Sequence, residues 1–378
     1  MVDYHPCNTY DVAVVGSGPA GSMAAHYLSR HGARVVVLEK MSLPRHKTCG
    51  GGIVQRAIKL LPFDVSGVIE RECYIAELNV GSPLFHFSAK RDEPIVSMTT
   101  RDKFDYFLLT AARKTGTEIY QEHRVSDLII RRDHVELVTP KGDISARFVI
   151  AADGAISTVA KKAGWHETRR LIPALGCRIP ITEGLLKRFG HAARFDFSLV
   201  PYGYGWIFPK KGHLSIGVFC MRPESSKSNN LLEYYLSLLG IEGMNGMQCK
   251  GSLIPITPRK DTFVRKRVLL AGDAAGLADP VTGEGISFAI QSGLMAGKAL
   301  LDGDYEETRV KQIYESELSK EILPELRWGR ALAKLVYDYP IVFKTLFRLY
   351  GQEFTESITE VFTGEKTYCK SLLHVISQ

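Results

Sequence analysis

Residues 10–40 read YDVAVVGSGPAGSMAAHYLSRHGARVVVLEK. A short apolar run leads into Gly16, Gly18 and Gly21, which are spaced as G-x-G-x-x-G, and alanines and leucines at helical spacing follow them. A second apolar run ends in Glu39. The order strand, glycine turn, helix and second strand is typical of a parallel sheet covered by helices. The stretch therefore predicts an α/β fold that begins at this unit.

Each glycine of this stretch has a mechanical task when a dinucleotide is the ligand. Gly16 permits the tight turn, Gly18 lets the backbone approach a pyrophosphate, and Gly21 lets the helix pack on the strand. The helix N-terminus offers N–H groups and a positive dipole end to the phosphates. Glu39 is placed to accept hydrogen bonds from a ribose, and an acid at this position favours FAD or NAD over NADP.

Two later segments favour a flavin. ARFVIAADGAISTVAKKAG at 146–164 places Asp153 after a strand, and RVLLAGDAAGLADPVTGEGISFAIQSGLMAGKAL at 267–300 does the same for Asp273. An aspartate in this position can hold a ribityl hydroxyl, although a plain turn residue is the alternative for both. The helix that begins behind Gly285 can point N–H groups at the pyrimidine edge of a flavin, where negative charge collects on reduction.

The order of these motifs resembles the glutathione-reductase-type FAD superfamily, in particular the branch of p-hydroxybenzoate hydroxylase. The matches are GSGPAG, Glu39, the D-G pair at Asp153 and the G-D pair at Asp273. A second G-x-G-x-x-G is absent from the sequence, so we expect no separate nicotinamide domain. The resemblance implies FAD as the cofactor, with Arg101 close to it; a surface helix cap is the alternative for Arg101.

Two further stretches bear on the substrate. CGGG at 49–52 fits a backbone that passes close to a flavin ring, with Cys49 against the ring or, alternatively, inert in the core. PYGYGWIFPKK at 201–211 has an aromatic residue at every second position and ends in a predicted turn. Alternating side chains share one face of a strand. We expect the four aromatic residues to line a substrate cavity, with plain core packing as the alternative: Tyr202, Tyr204, Trp206 and Phe208.

Together, these two stretches resemble the C-x-G-G and Y-x-W-x-F-P-K motifs of the geranylgeranyl reductase family, and TESITEVFTGEKTYCKSLL resembles the end of its members. The resemblance implies an FAD-dependent reductase that saturates carbon–carbon double bonds of geranylgeranyl and other isoprenoid chains, with hydride from N5 of the reduced flavin. It also implies these FAD contacts: Ala20, Glu39, Cys49, Gly50, Gly52, Arg101, Val125, Asp273, Gly285 and Ile286.

An isolated alkene needs a proton on one carbon as well as a hydride on the other. Aromatic faces at Tyr204 and Trp206 can stabilise the positive charge that develops and exclude water. Cys49, Tyr204 or water could supply the proton, so the predicted catalytic residues are Cys49, Tyr204 and Trp206. The sequence gives Lys210 no chemical role.

Three rival functions stay open. A flavin-dependent aromatic monooxygenase would share the FAD motifs. A halogenase motif, W-x-W-x-I-P, differs from this sequence at two of its four fixed positions. A non-enzymatic escort-like protein would bind prenyl groups on the same fold, but the intact FAD fingerprint counts against it.

The domain prediction has three parts. A discontinuous Rossmann-like FAD-binding domain takes 1–75, 98–175 and 255–305, and an antiparallel-sheet substrate domain takes 76–97 and 176–254. A C-terminal helical segment takes 306–378.

Composition narrows the setting. The net charge of +7 is too diffuse to predict a nucleic-acid partner. The seven scattered cysteines form no C-x-x-C pair, so we expect no metal site and a reducing compartment. A reducing compartment indicates a cytoplasmic protein. Because no apolar run reaches about 18 residues, we expect no transmembrane helix.

The basic, aromatic-rich stretch 327–350 indicates either peripheral contact with a membrane or the inner face of a helical cap. We further expect a prenyl-lipid substrate, NAD(P)H or a ferredoxin as electron donor, and a monomer or small oligomer.

Overall fold

The structure, a computed structural model, describes residues 10–81, 85–222, 228–241 and 249–371. Its strands are β1 (Tyr10–Val15), β2 (Val35–Glu39), β3 (Gly52–Val54), β4 (Arg71–Cys73), β5 (Ile75–Val80), β6 (His86–Lys90), β7 (Val96–Met98), β8 (Glu118–Gln121), β9 (Asp127–Ile130), β10 (Val135–Val138), β11 (Ile144–Ala151), β12 (Leu171–Pro180), β13 (Ala193–Phe197), β14 (Gly203–Pro209), β15 (His213–Cys220), β16 (Lys250–Pro255), β17 (Val264–Arg265) and β18 (Val268–Leu270). Its α-helices are α1 (Pro19–Arg30), α2 (Gln55–Lys59), α3 (Arg101–Lys114), α4 (Thr158–Lys162), α5 (Glu183–Phe189), α6 (Ser228–Leu238), α7 (Ile286–Asp302), α8 (Glu307–Glu321), α9 (Leu323–Asp338) and α10 (Pro340–Thr363).

The first sheet is the predicted parallel one. Its order is β17-β18-β11-β1-β2-β8; β1, β2, β8, β11 and β18 pair with one another in parallel, whereas β17 pairs with β18 antiparallel. The strands β9 and β10 add an antiparallel excursion beside β11. Its central strands are buried along their length because helices cover the sheet, which explains their unbroken runs of valine and isoleucine. Helix α7 packs tightly on α1: a Cβ at Gly293 would come closer than 3.0 Å to the Ala20 carbonyl oxygen.

The second sheet carries the predicted aromatic hairpin. Its order is β16-β12-β15-β14-β13-β5-β6, and every contact is antiparallel except that of β5 with β13. Because side chains alternate along β14, Ile207 packs with Tyr235 of α6 on one face, whereas Tyr204 and Trp206 belong to the cluster on the other. The predicted hairpin of β14 and β15 is confirmed.

The remaining elements join the two sheets. A small antiparallel sheet has the order β3-β7-β4, and α9 and α10 pack against the same apolar cluster as Tyr204 and Trp206. The α/β fold with an antiparallel sheet and C-terminal helices is thus confirmed. The domain boundaries stay a prediction; residues 1–9, 82–84, 223–227, 242–248 and 372–378 of that division lie outside the described residues. None of the helices in the described parts of the chain is both long and apolar enough to cross a membrane.

Candidate functional site

A cavity of about 910 Å³ lies where the carboxyl ends of the parallel strands meet the second sheet. Its size falls in the usual range of small-molecule and cofactor sites, about 300–1,000 Å³. Most residues predicted from the sequence line this one cavity: Gly16, Gly18, Ala20, Glu39, Cys49, Gly50, Gly52, Arg101, Val125, Asp153, Tyr204, Trp206, Phe208, Asp273, Gly285 and Ile286. Gly21 and Tyr202 do not line it.

The glycine turn after β1 has the predicted geometry. Gly16 has a φ of +103°, and a Cβ there would come closer than 3.0 Å to the Ala152 carbonyl oxygen. Gly18 is the N-cap of α1 and forms no side-chain cap; a Cβ on it would meet only Arg45, at 3.8 Å. Gly21 faces the Gly16 carbonyl instead, which places α1 close to the turn. The turn therefore leaves an open approach to the N-terminus of α1.

Glu39 ends β2 with its carboxylate oriented by four hydrogen bonds. Ser17 donates to Oε2 from its hydroxyl (2.5 Å) and its N–H (3.2 Å), and the Met41 N–H donates to Oε1 (3.0 Å). Arg45 Nε donates to Oε2 at 3.1 Å. Burial opposes ionisation, but Ser17 and Arg45 outweigh it and lower the pKa of Glu39. The carboxylate stays ionised and can accept hydrogen bonds from a ribose.

Arg45 continues into a second ion pair. Its Nη1 lies 3.3 Å from Asp105, which accepts two hydrogen bonds from Arg101 at 2.7 and 2.9 Å. Arg101 is only 7% exposed, so the surface-cap alternative for it is wrong. Burial acts against its charge, but Asp105 and Cys49 raise the pKa of Arg101. The Arg101 guanidinium is held, charged, at the cavity wall.

The two aspartates predicted to contact ribityl hydroxyls differ in their surroundings. Asp153 accepts from the hydroxyl of Ser157, the N-cap of α4, at 2.5 Å and from the Val159 N–H at 3.1 Å, and burial raises its pKa. Asp273 lies 3.5 Å from Lys47 Nζ and close to Gly285, the N-cap of α7. Both line the cavity, and their ribityl contacts stay a prediction.

These features fit FAD. The cavity joins a glycine turn, an ionised acid at the end of β2, and two helix N-termini, those of α1 and α7. The glycine turn and the N-terminus of α1 leave room for a pyrophosphate, and the acid can accept hydrogen bonds from a ribose. The N-terminus of α7 offers a positive dipole end to the pyrimidine edge of a flavin.

Two glycines of the second sheet pack beneath the Trp206 ring of the aromatic wall. A Cβ at Gly217 would come closer than 3.0 Å to the benzo ring of Trp206, and a Cβ at Gly176 would lie 3.0 Å from it. Gly176 and Gly217 are paired on β12 and β15. The indole therefore lies flat across two neighbouring strands, where any larger side chain would lift it into the cavity.

The CGGG loop contacts the aromatic wall directly. A Cβ at Gly50 would lie 3.0 Å from the Phe208 ring and 3.1 Å from Trp206 Nε1, and one at Gly52 would lie 3.1 Å from Phe208. Cys49 is exposed to the cavity, and its Sγ accepts from the Gly51 N–H at 3.3 Å. The alternative that Cys49 lies buried in the core is therefore wrong.

Lys210 fastens this loop to the hairpin. Its side chain is 2% exposed, and Nζ donates to the carbonyl oxygens of Gly51 (2.8 Å) and Thr99 (2.6 Å). Burial lowers the pKa of Lys210 to about 8. The lysine that ends the Y-x-W-x-F-P-K motif therefore holds the backbone of the C-x-G-G motif close to β14.

The hydroxyl of Tyr204 is already engaged. It donates to the Thr282 carbonyl oxygen, and burial raises the pKa of Tyr204. Tyr204 therefore ties β14 to the loop before α7.

Tyr202 is a correction. It precedes β14, has a φ of 54° and is 37% exposed, with Arg222 stacked over its ring. The expectation that it shares a face with Tyr204, Trp206 and Phe208 is wrong because the left-handed turn at Tyr202 interrupts the alternation of a strand.

Beside the aromatic wall, at the same level along the second sheet, basic side chains line the cavity. Arg178 (β12), Lys250 (β16) and His213 (β15) line it together with His46. Burial and the neighbouring cations lower the pKa of both histidines. These residues are not predicted from the sequence, although Arg178 continues the strand alternation of Ala174 and Gly176.

Comparison with known proteins agrees with this geometry. A family described as "FAD binding domain" matches residues 9–179. The geranylgeranyl diphosphate reductase of Oryza sativa is 30% identical over 330 residues, 82% of this chain and 70% of its own. The digeranylgeranylglycerophospholipid reductase of Methanococcus vannielii is 28% identical, over 90% of this chain and 87% of its own.

Solved structures show the fold. A geranylgeranyl bacteriochlorophyll reductase-like protein of Thermoplasma acidophilum superposes with a TM-score of 0.78 at 23% identity, over 98% of this chain and 99% of its own. The halogenase PltM shares the fold at a TM-score of 0.73 and 17% identity, over 96% and 85% of the two chains. Because halogenases share the fold, the relatives in sequence and the site motifs decide the assignment. The chain belongs to the geranylgeranyl reductase family of FAD-dependent oxidoreductases.

Proposed function

We propose that this protein reduces carbon–carbon double bonds of geranylgeranyl or related isoprenoid chains on a lipid or other prenyl substrate. The single observation that carries the proposal is that one cavity joins the residues suited to FAD with an aromatic wall in contact with the CGGG loop. The sequence relatives whose names state prenyl reduction support it.

The apolar and the basic side chains of the cavity suit the two parts of an amphiphilic substrate. Phe195, Tyr204, Trp206 and Phe219 offer apolar surface to a prenyl chain, at about 0.8 kcal/mol for each CH₂ removed from water. Arg178 and the cations beside it offer charge-assisted hydrogen bonds to a phosphate or diphosphate group. We therefore propose a prenyl substrate with an anionic headgroup.

Bound FAD, once reduced, supplies the hydride. The predicted FAD contacts would orient the cofactor: the N-terminus of α1 would hold its pyrophosphate, the N-terminus of α7 would face the pyrimidine edge of the flavin, and Glu39 would accept from the ribose. Trp206 and Phe208 stabilise positive charge on the substrate and exclude water.

The proton has two candidate sources at the cavity, Cys49 and water. Tyr204 is a poorer donor, because its hydroxyl proton is bonded to the Thr282 carbonyl and burial raises its pKa. Cys49 lines the cavity beside the glycine loop and is the residue we propose as the proton donor.

The proposal includes NAD(P)H or a ferredoxin as the electron donor and a monomer or small oligomer. It also includes peripheral contact with a membrane, since a prenyl lipid is reached from a bilayer.

Anaerobic reoxidation tests the function. The holoenzyme is reduced without oxygen, and geranylgeranyl diphosphate or a geranylgeranyl phospholipid is then added while the flavin spectrum is followed. We expect the oxidised flavin absorbance to return. Failure of every prenyl substrate to reoxidise the flavin would refute the proposal.

The rival functions give different results in simple assays. Oxygen consumption with a phenol would indicate a monooxygenase, and halide-dependent consumption would indicate a halogenase. A purified protein without flavin absorbance that still binds a prenyl chain would indicate an escort-like protein.

A further inference from the structure

The first half of α10 exposes a cluster of apolar side chains. Six of the 16 large hydrophobic residues that are exposed in the described parts of the chain lie within this short stretch. Of these six, the most exposed are Ile341, at 81%, and Leu349, at 66%. Contiguous apolar surface of this kind is unusual on a protein that faces only water. We call this surface the α10 face: Tyr339, Ile341, Val342, Leu346, Leu349 and Tyr350.

The two charged residues within the stretch 339–350 of the α10 face are both basic. Lys344 and Arg348 are interleaved with its apolar residues, and the first acid in the sequence of α10 is Glu353. The nearest preceding acid, Asp338, is paired with Arg222 at 3.1 Å. Interleaved cations and apolar or aromatic side chains are typical of helices that lie in the surface of an anionic bilayer.

Beneath the α10 face, apolar rings reach the cavity wall. Phe343 and Phe347 anchor the same half-helix and are 2% and 1% exposed. The Phe343 ring contacts Phe197 at 6.3 Å between centroids, and Phe197 contacts Tyr204 at 5.3 Å. Tyr204 lines the cavity. The exposed face and the aromatic end of the cavity therefore belong to one continuous apolar layer.

We propose that the α10 face docks this protein on an anionic lipid bilayer, with Ile341 and Leu349 among the acyl chains and Lys344 and Arg348 at the phosphates. The purpose of membrane binding, uptake of a prenyl lipid, rests on the proposed function. The docking surface itself is inferred from the exposure and charge of its residues. A second copy of the chain fits this face less well, because residues 339–350 carry two cations and no acid that could pair with them across a two-fold axis.

Vesicle co-sedimentation of the holoenzyme tests the proposal without any prenyl substrate. The vesicles contain phosphatidylcholine and phosphatidylglycerol. We expect Ile341→Gln/Leu349→Gln to weaken binding at least about tenfold. The matched control, Tyr234→Gln/Leu238→Gln, removes two residues of α6 that are 50% and 47% exposed, and we expect it to bind as the wild type does.

The charge arm uses Lys344→Gln/Arg348→Gln, which we expect to remove most of the dependence of binding on salt and on phosphatidylglycerol. Wild-type protein that stays in the supernatant, or an α10 variant that binds as tightly as the control, would overturn the proposal. A dimer that the α10 variant dissociates, with no vesicle binding by the wild type, would overturn it in favour of a contact between copies.

Turnover of a detergent-dispersed prenyl substrate separates this inference from the proposed function. The α10 variant should keep the wild-type rate in detergent and lose rate only when the substrate is embedded in vesicles. Vesicle binding without any turnover would refute the proposed function and leave the docking surface intact.

Discussion

Gly217→Ala tests whether the position of the Trp206 ring matters for catalysis. The new Cβ would lie inside 3.0 Å of the benzo ring of Trp206, whereas ordinary van der Waals contact begins at 3.4 Å. The ring must retreat by roughly 1 Å, towards the cavity, because β12 and β15 lie behind it. The same Cβ would also lie 2.5 Å from the Leu175 carbonyl oxygen, so the pairing of β12 with β15 must shift as well. Overpacking of this kind costs about 1–3 kcal/mol of stability, and a displacement of 1 Å at a reacting centre costs on the order of 100-fold in rate.

Two other glycines give a graded comparison. A Cβ at Gly176 would lie 3.0 Å from the same ring, so we expect Gly176→Ala to lose roughly tenfold in rate. A Cβ at Gly212, in the turn of the same hairpin, would meet no atom within 4 Å, so we expect Gly212→Ala to keep the wild-type rate.

The assay is prenyl-dependent reoxidation of the reduced flavin per bound FAD, with thermal unfolding in parallel. Equal rates for Gly217→Ala and Gly212→Ala would refute the role of the ring position. A loss that follows unfolding alone would refute it as well.

Three further predictions concern single side chains. Cys49→Ala should slow flavin reoxidation by about 100-fold per bound FAD, with partial recovery in Cys49→Ser; an unchanged rate would assign the proton to water. Lys210→Met removes an ammonium whose pKa burial lowers from 10.5 to about 8. Since the unfolded chain keeps that proton up to about pH 10.5, the wild-type free energy of unfolding should rise relative to the variant between pH 8 and 10.5, by roughly 3 kcal/mol in denaturant titrations; a constant difference would contradict it. Arg178→Gln and Lys250→Gln should each raise KM for a prenyl diphosphate about tenfold and leave KM for the prenyl alcohol of equal length unchanged; equal effects on both substrates would remove the headgroup role.

Local patterns predicted the FAD end of the site because its parts are adjacent in the chain. The turn at Gly16, the helix behind it and the acid at Glu39 belong to one βαβ unit, whose spacing follows from strand and helix periods. The hairpin of β14 and β15 was predictable for the same reason: its two strands are separated only by a turn.

The rest of the site depends on contacts that no local pattern contains. Lys210 binds the carbonyls of Gly51 and Thr99, which lie 159 and 111 residues away in sequence. Arg178 and Lys250 meet only because β12 and β16 are neighbours in the second sheet. For Tyr202 the local pattern predicted a contact that does not exist. The spacing of the aromatic residues does not show where the strand begins, and the positive φ of Tyr202 places this residue before it.

Mass spectrometry of the product tests the central claim most directly. The holoenzyme is incubated anaerobically with a reductant and geranylgeranyl diphosphate. The prenyl chain is then extracted, and its molecular mass is measured. Reduction of double bonds predicts a gain of two hydrogens for each bond saturated, with no oxygen or halogen added, and a smaller gain in Gly217→Ala than in Gly212→Ala. Recovery of the unchanged chain while the flavin is fully reduced, or of an oxygenated chain once air is admitted, would contradict the assignment of a prenyl reductase.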